Sequence, residues 1–420
     1  MFKYIRLETK NIAYLFPFIV ILLSACSNST DNTAVDEEIL LKEWDSYKEN
    51  ASESEVSIFM WGGDEGINAY MDEFVSPELK EKHNITLNRV AMDTNEILQK
   101  LMNEKRANQE EGTIDIIWIN GENFLNAKEN DLLFGPFTEV LPNYQEYVDT
   151  ESLDILYDFG TEVEGLEAPW GSVQFVFQYD SAKVSDPPKS FEELSTWVKE
   201  NPGKFVYPEP SDFTGNAFLQ HLLYDQIGGP DKLLENGFDE EFVTNNTDGM
   251  WEYLRDIEPF LWRDGETYPA SLTELDRLYS QGEIWMTMGY NEARAESFIN
   301  DGTFPESTKS FVLDSGSIGN THFLAIPYNS PNKEGALVAI NELLSPEAQM
   351  TKYDTTYWGE SMGIDPEKLS NDNKEKLAAM ERGGSVLPAN ELNEAFLPEV
   401  DTQYGGWIRE KWLNEVVQTD

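Results

Sequence analysis

From Val56 onward, short apolar runs alternate with amphipathic ones, an order that few folds accept. Val56–Trp61, Ile85–Val90 and Ile114–Ile119 read as strands, and between them Ile67–Phe74 and Glu96–Ala107 repeat apolar residues at helical spacing. Alternation of this kind predicts an α/β sheet with helices on both faces. Ligands bind such sheets beyond the carboxyl ends of the strands, which here are Trp61-Gly62-Gly63-Asp64 and Asn120-Gly121-Glu122-Asn123. With 420 residues the chain has room for two such units without staples from disulfide or metal.

Ahead of this body, Lys3, Arg6 and Lys10 precede an apolar run from Ile12 to Leu23, the pattern of a signal peptide and too short for a comfortable membrane span. Leu23-Ser24-Ala25-Cys26 resembles the bacterial lipobox, in which the cysteine thiol is lipidated, and Cys26 is the only cysteine in the chain. With that thiol consumed, disulfides, thiolate metal sites and cysteine nucleophiles are all excluded from the mature body. Ser27–Thr33 reads as a tether. Glu37–Lys48 reads as a short helix docked on the body, and Glu49–Glu55 as a second tether-like stretch, so that the ordered core begins near residue 54.

Further along, Ala168–Asp180 is an extended segment bent at Gly171, read as a crossover between lobes, and Ser190 caps the helix that follows. Gly203–Pro210 reads as a strand, Ser211–Gly215 opens a helix running to Tyr224, and Glu283–Met288 is a strand ending at Gly289-Tyr290-Asn291. Ser317–Pro327 is the return crossover, Ser330 opens another helix, and the tail from Asp365 is helical and acidic. Two crossings make each lobe discontinuous: residues 54–171 with 318–363 form one, and 172–317 with 364–420 the other, behind a 1–25 signal peptide and a 26–53 anchor segment.

A formal charge of −48 repels nucleic acid and anionic headgroups. It serves either as general solvation or as an attractor for a cationic solute. No G-x-S-x-G, H-E-x-x-H or P-loop pattern is present, and His83, His221 and His322 lack ligand spacing, so neither a resident metal nor a cofactor is expected; ferric binding through tyrosines stays open among 18 Tyr, although no adjacent Tyr pair marks the later half. A carboxylate-pair hydrolase acting on carbohydrate stays open as an alternative, but 78 acidic residues produce such pairs by chance. A lipoprotein that interacts with another protein is the third reading.

The order of segments behind a lipobox resembles the type II periplasmic binding proteins, the two-lobed receptors of ABC importers. Trp61–Asn68, Ile116–Phe124, Leu133–Pro136, Ala168–Gly171, Asp212–Gly215, Gly282–Met286 and Gly319–Phe323 are similar to the YnjB-type branch of these proteins. The resemblance runs from residue 37 to the end of the chain. It implies a monomeric, lipid-anchored, non-enzymatic receptor on the extracytoplasmic face, which closes on a small solute and delivers it to a permease driven by a cytoplasmic ATPase.

The candidate site follows from the strand ends and crossovers. Trp61, Trp170, Phe213 and Tyr290 offer aromatic walls, although core packing explains any single aromatic as well. Gly62 and Gly63 let the chain approach a ligand. Asp64 and Glu122 either meet an ammonium or thiazolium group or cap helices. Asn120, Asn123, Asn291, Asn320 and Thr321 suit a polar solute or ordinary turns, and Thr214 at a helix start suits an anion or a plain cap. The expected ligand is thiamine-like or another small cationic or heterocyclic compound.

Overall fold

The computed structural model describes residues 38–235 and 237–417. Cys26, the signal peptide and the tether lie outside the described residues. The central element is a mixed sheet of seven strands, in the order β11 (Ser361–Met362), β6 (Glu167–Gln174), β10 (Ser317–Ala325), β3 (Ile116–Ile119), β1 (Glu55–Met60) and β2 (Thr86–Ala91), with β12 (Phe396–Pro398) also paired to β10. β1 runs parallel to β2 and β3, with Phe59 beside Val90 and Ile117, so the carboxyl ends of these strands emerge together. Helices cover both faces, as the alternation predicts. On one side Ile97, Leu98 and Leu101 of helix Thr94–Arg106 pack with Phe124 and Ala127. On the other, Leu337, Ile340 and Leu343 of helix Lys333–Leu343 pack with Val56, Ile58 and Tyr47.

A second sheet orders β8 (Met286–Gly289), β7 (Val176–Asp180) and β9 (Thr308–Phe311), all antiparallel, beneath its own core of Phe177, Phe218, Leu222, Met288 and Trp251. The remaining strands, β4 (Tyr157–Asp158) and β5 (Thr161–Glu162), form a short hairpin. The chain leaves the large sheet at the end of β6, enters β7 two residues later, and returns from β9 into β10. The two passages lie side by side, tied where the Phe175 N–H donates to the Ile318 carbonyl at 2.8 Å. His221 pins this crossing: Ile318 N–H donates to its Nε2 at 2.8 Å while Nδ1 bonds the Ala217 carbonyl, and burial pushes the imidazole down to about 4, so it stays neutral.

Three expectations need correction, the first being Glu49–Glu55, which is no tether: the helix Trp44–Ala51 runs through its first three residues, Ala51 is buried, and β1 begins at Glu55. Gly203–Pro210 belongs to no strand; it opens and closes on turns and is held by scattered bonds such as Trp262 N–H to the Phe205 carbonyl, because Pro208 and Pro210 lack the N–H groups a ladder requires. The helix expected over Ile67–Phe74 begins at Glu65 and continues through a wide turn, Tyr70–Val75, into Ser76–His83. The wide turn brings Pro77 to the first turn of the next segment, where its missing N–H costs little. Farther upstream, helix Trp44–Ala51 docks on helix Lys333–Leu343 through Glu334, which binds both Lys42 and Asn50.

Candidate functional site

The lobes face each other across two adjoining cavities. The outer cleft, about 290 Å³, is lined from the large-sheet lobe by Asn120–Asn123 beyond β3, and from the other lobe by Asp212, Phe213, Gln220, Tyr290 and Arg409. Gly121 makes the turn possible: its φ of 59° with ψ of −133° suits glycine alone, and a Cβ there would meet the Phe159 ring at 3.4 Å. Across the cleft, Asp212 caps helix Phe213–Ile227 by accepting from Thr214 and Gly215 N–H at 2.9 and 3.2 Å. Those donors are therefore spent on the cap, and Thr214 is buried. Phe213 is 52% exposed; its ring centroid is 5.0 Å from that of Tyr290 and 6.2 Å from that of Phe159, which reaches over from the opposite lobe.

The second cavity, about 320 Å³, lies on the hinge side, between Leu153–Gly160, Leu234, β10 at Gly319–Thr321 and β12 at Phe396–Glu399. Phe159 and Glu399 line both cavities. Phe159 holds a left-handed φ of 46°, a conformation uncommon for an aromatic side chain and found at sites of function.

Carboxyl groups dominate the electrostatics. Burial pushes Glu399 up to about 7, against hydrogen bonds from Tyr290 and Gln220 that pull the other way. Asp158 is pushed up to about 8, first by burial and then by Glu399, although one of its oxygens accepts the Gly121 N–H at 2.7 Å. Glu167, fully buried on β6 beside Asp158, is raised well above its ordinary value by burial. No Lys, Arg or His lines the hinge-side cavity. In the outer cleft Arg409 lies 3.9 Å from Glu122, an ion pair from one lobe to the other. Among the described residues no group of three His, Cys, Asp or Glu is placed to hold a metal ion.

The sequence-derived candidates divide into three sets. Asn120, Glu122, Asn123, Phe213 and Tyr290 meet in the outer cleft, and Asn320 and Thr321 line the hinge-side cavity. Trp61, 45% exposed at the end of β1, folds its ring over Gly63, while Asp64 caps helix Glu65–Ala69 by accepting from Ile67 N–H at 2.9 Å, and Gly62 accepts from Asn68. These four line neither cavity. Asn291 shapes a turn, with φ of 67°, and bonds Ala293 and the Trp358 carbonyl. Trp170 has no exposed surface; it packs edge-on against Trp118 at 5.4 Å and Trp358 at 4.9 Å, because β6 is an inner strand covered on both faces. Sequence reasoning missed Asp158, Phe159, Gln220, Glu399 and Arg409. For Glu399 a signal existed: one acid inside the otherwise apolar Phe396-Leu397-Pro398-Glu399-Val400.

A sequence profile of the bacterial extracellular solute-binding proteins matches residues 75–369. Protein YnjB of Escherichia coli (strain K12) is 36% identical over 377 residues, spanning 89% of this chain and 93% of that one. The chain belongs to the bacterial extracellular solute-binding proteins. Its two-lobed fold is that of the periplasmic solute-binding proteins. The spermidine/putrescine ABC transporter substrate-binding protein PotD of Streptococcus pneumoniae is 16% identical with a TM-score of 0.63, over 87% of this chain and 99% of that one. The periplasmic binding protein AfuA of Actinobacillus pleuropneumoniae, with fructose-6-phosphate bound, is 15% identical with a TM-score of 0.58, over 88% and 100%. At such identities these neighbours share the fold, while two such different named ligands leave the chemistry of the solute to this protein's own cleft.

Proposed function

We propose that this solute-binding protein is the lipid-anchored receptor of an ABC importer, held at the extracytoplasmic face through Cys26, closing as a monomer on a small cationic or heterocyclic solute, thiamine-like in character, and passing it unchanged to a permease driven by a cytoplasmic ATPase. The lobes are residues 54–171 with 318–363 and residues 172–317 with 364–420, which puts Phe159 and Glu122 on one side and Phe213, Tyr290, Glu399 and Arg409 on the other. The observation that carries the reading is the outer cleft itself, where both lobes contribute aromatic faces and carboxyls to one concave space. Closing a solute between such walls shields it from water, so each cation–π and charge contact gains strength. Among the described residues no helix is long and apolar enough to cross a membrane, which fits anchoring by lipid.

The test is to purify the mature body from host extract, denature it, identify any small molecule released by mass spectrometry, and confirm binding by calorimetry. A stoichiometric cation recovered unchanged supports the reading; a solute converted to product, or a lipid-free Cys26 on intact-mass analysis of membrane-extracted protein, overturns the corresponding part.

A further inference from the structure

The interlobe space is pinched at Phe159 and Glu399 into halves of opposite character. The outer half is polar. The hinge-side half has walls of Leu153, Tyr157, Leu234 and Phe396, with Asp158 and Glu399 as its buried carboxyls. Glu399 is satisfied within the protein, by Tyr290 and Gln220. Asp158 is not: one oxygen takes the Gly121 N–H, and among the described residues the other has no hydrogen-bond partner, although the residue is 2% exposed. That oxygen is not fully enclosed, as the unpaired polar atoms of Asn320 and Thr321 in the same cavity are, so it opens onto the cavity and stands free for a partner. We infer that the hinge-side cavity receives the transported solute as a hydrophobic amine: an alkyl or aryl body against Leu153, Tyr157 and Phe396, with its single ammonium at Asp158.

This inference rests on the receptor reading and narrows it. A polyamine would set its further nitrogens against Leu153, Tyr157 and Phe396, which offer them no charged partner, whereas Asn320 and Thr321 leave room for one further polar group on the body. Phe159 stands beside the proposed ammonium position and adds an aromatic face. Binding is also linked to protons. Burial and the neighbouring Glu399 hold Asp158 up to about 8, so at pH 7 the empty receptor carries it protonated. An arriving ammonium favours the carboxylate and expels that proton. The charged groups around Asp158 are Glu399, Glu167 and Asp154; Lys128 acts on Glu167 and is paired with Glu164. Affinity therefore climbs from pH 6 to about 8 and then levels, until the amine itself deprotonates.

The test is calorimetry on the mature body with phenethylamine, 2-phenylethanol and spermidine, at pH 7, in two buffers of different protonation enthalpy. Phenethylamine is expected to bind at least tenfold more tightly than the other two, with buffer-dependent heat that reports proton release. Asp158→Asn keeps an acceptor for the Gly121 N–H, and is expected to weaken phenethylamine at least tenfold and abolish the release. Phe396→Ala, at a half-exposed rim, is expected to weaken it severalfold without loss of folding. Absence of phenethylamine binding, equal binding of phenylethanol, tighter binding of spermidine, or unchanged affinity in Asp158→Asn each overturns the inference. Small-angle scattering separates it from the receptor reading. Proton release without lobe closure would sink the receptor and leave the cavity assignment, whereas closure on a polar or anionic solute recovered from extract would do the reverse.

Discussion

Buried charge occurs twice around the crossover strands, and the two groups are built on opposite plans. Beneath β11, Lys352 and Glu360 have no exposed surface; Lys352 donates to Glu360 at 3.0 Å, to the Trp170 carbonyl at 2.7 Å and to the Ser361 carbonyl at 3.1 Å, while His322 takes the other Glu360 oxygen. Burial alone would push Glu360 up, but Lys352 and His322 overcome it and hold the carboxyl below its ordinary range. At the interlobe cavities Asp158 and Glu399 are also buried, as is Glu167 on β6 outside both linings, and there burial wins. A charge that serves the fold is neutralised within the chain, whereas Asp158 keeps one carboxyl oxygen for a partner that arrives later. The first group makes the lobe rigid, and the second makes its empty state costly.

Removing one partner from the first group gives the largest expected effect. Lys352→Met leaves Glu360 buried beside an imidazole alone and breaks two bonds to backbone carbonyls, a loss of about 3–5 kcal/mol. Urea denaturation reads this directly, and Glu360→Gln added to Lys352→Met should restore part of it. If Lys352→Met is as stable as the parent, the ion cluster is ornamental and the comparison fails.

The second group predicts the opposite sign. In the unfolded chain Asp158 loses its proton near 3.8, but in the folded chain it holds the proton up to about 8. Folding is therefore least penalised below pH 4, and stability from this group falls as pH rises from about 4 to about 8, then stays level. At about 1.4 kcal/mol per unit of raised pKa, the total reaches several kcal/mol. Asp158→Asn removes the titration, so the variant should be more stable than the parent at pH 8 and nearly equal at pH 4, while binding the solute less well. Parallel stability profiles from pH 4 to 8 would show that Asp158 is not held protonated.

Aromatic contacts in the cleft come next. Phe213 is half exposed and anchors little of the core, so Phe213→Ala should change stability by well under 1 kcal/mol. Its contribution to the solute, through stacking or a cation–π contact, is about 1–2 kcal/mol, a tenfold loss of affinity or somewhat more. Trp61→Ala provides the contrast, because Trp61 is equally exposed but lines neither cavity. Calorimetry with the identified solute should separate the two, and equal losses would move the site toward the end of β1.

How far the sequence reveals this arrangement depends on whether a feature is local. Period and turn chemistry mark the α/β order, the Gly121 turn beyond β3 and the paired crossovers, because each is decided within a few residues. The cap at Asp212 is local too, although its local function is what removes the helix start as an anion site. Trp170 misleads because a glycine neighbour suggests a cleft, while its burial is decided by Trp118 and Trp358, which lie far from it in the chain. Asp158 and Glu399 are 241 positions apart and meet only when the tail returns to pair with β10. Among 78 acids nothing about their spacing pairs the two, although the apolar run around Glu399 marks that residue by itself.

The smallest effect tests whether charge across the cleft belongs with either group. Arg409 and Glu122 face each other from opposite lobes at 3.9 Å, and their side chains are 43% and 63% exposed. Pairs of this kind contribute about 0–1 kcal/mol and weaken with salt. Arg409→Gln should therefore leave the melting temperature unchanged and alter solute affinity less than fivefold. It should also bias the empty receptor slightly toward the open form, since the lost contact exists only when the lobes are near each other. Affinity measured at low and high salt sharpens this: the parent should lose a little affinity as salt screens the pair, and Arg409→Gln should lose less. A tenfold effect at either salt concentration would mean that Arg409 touches the solute itself, and that the outer cleft takes an anionic group in place of a cation.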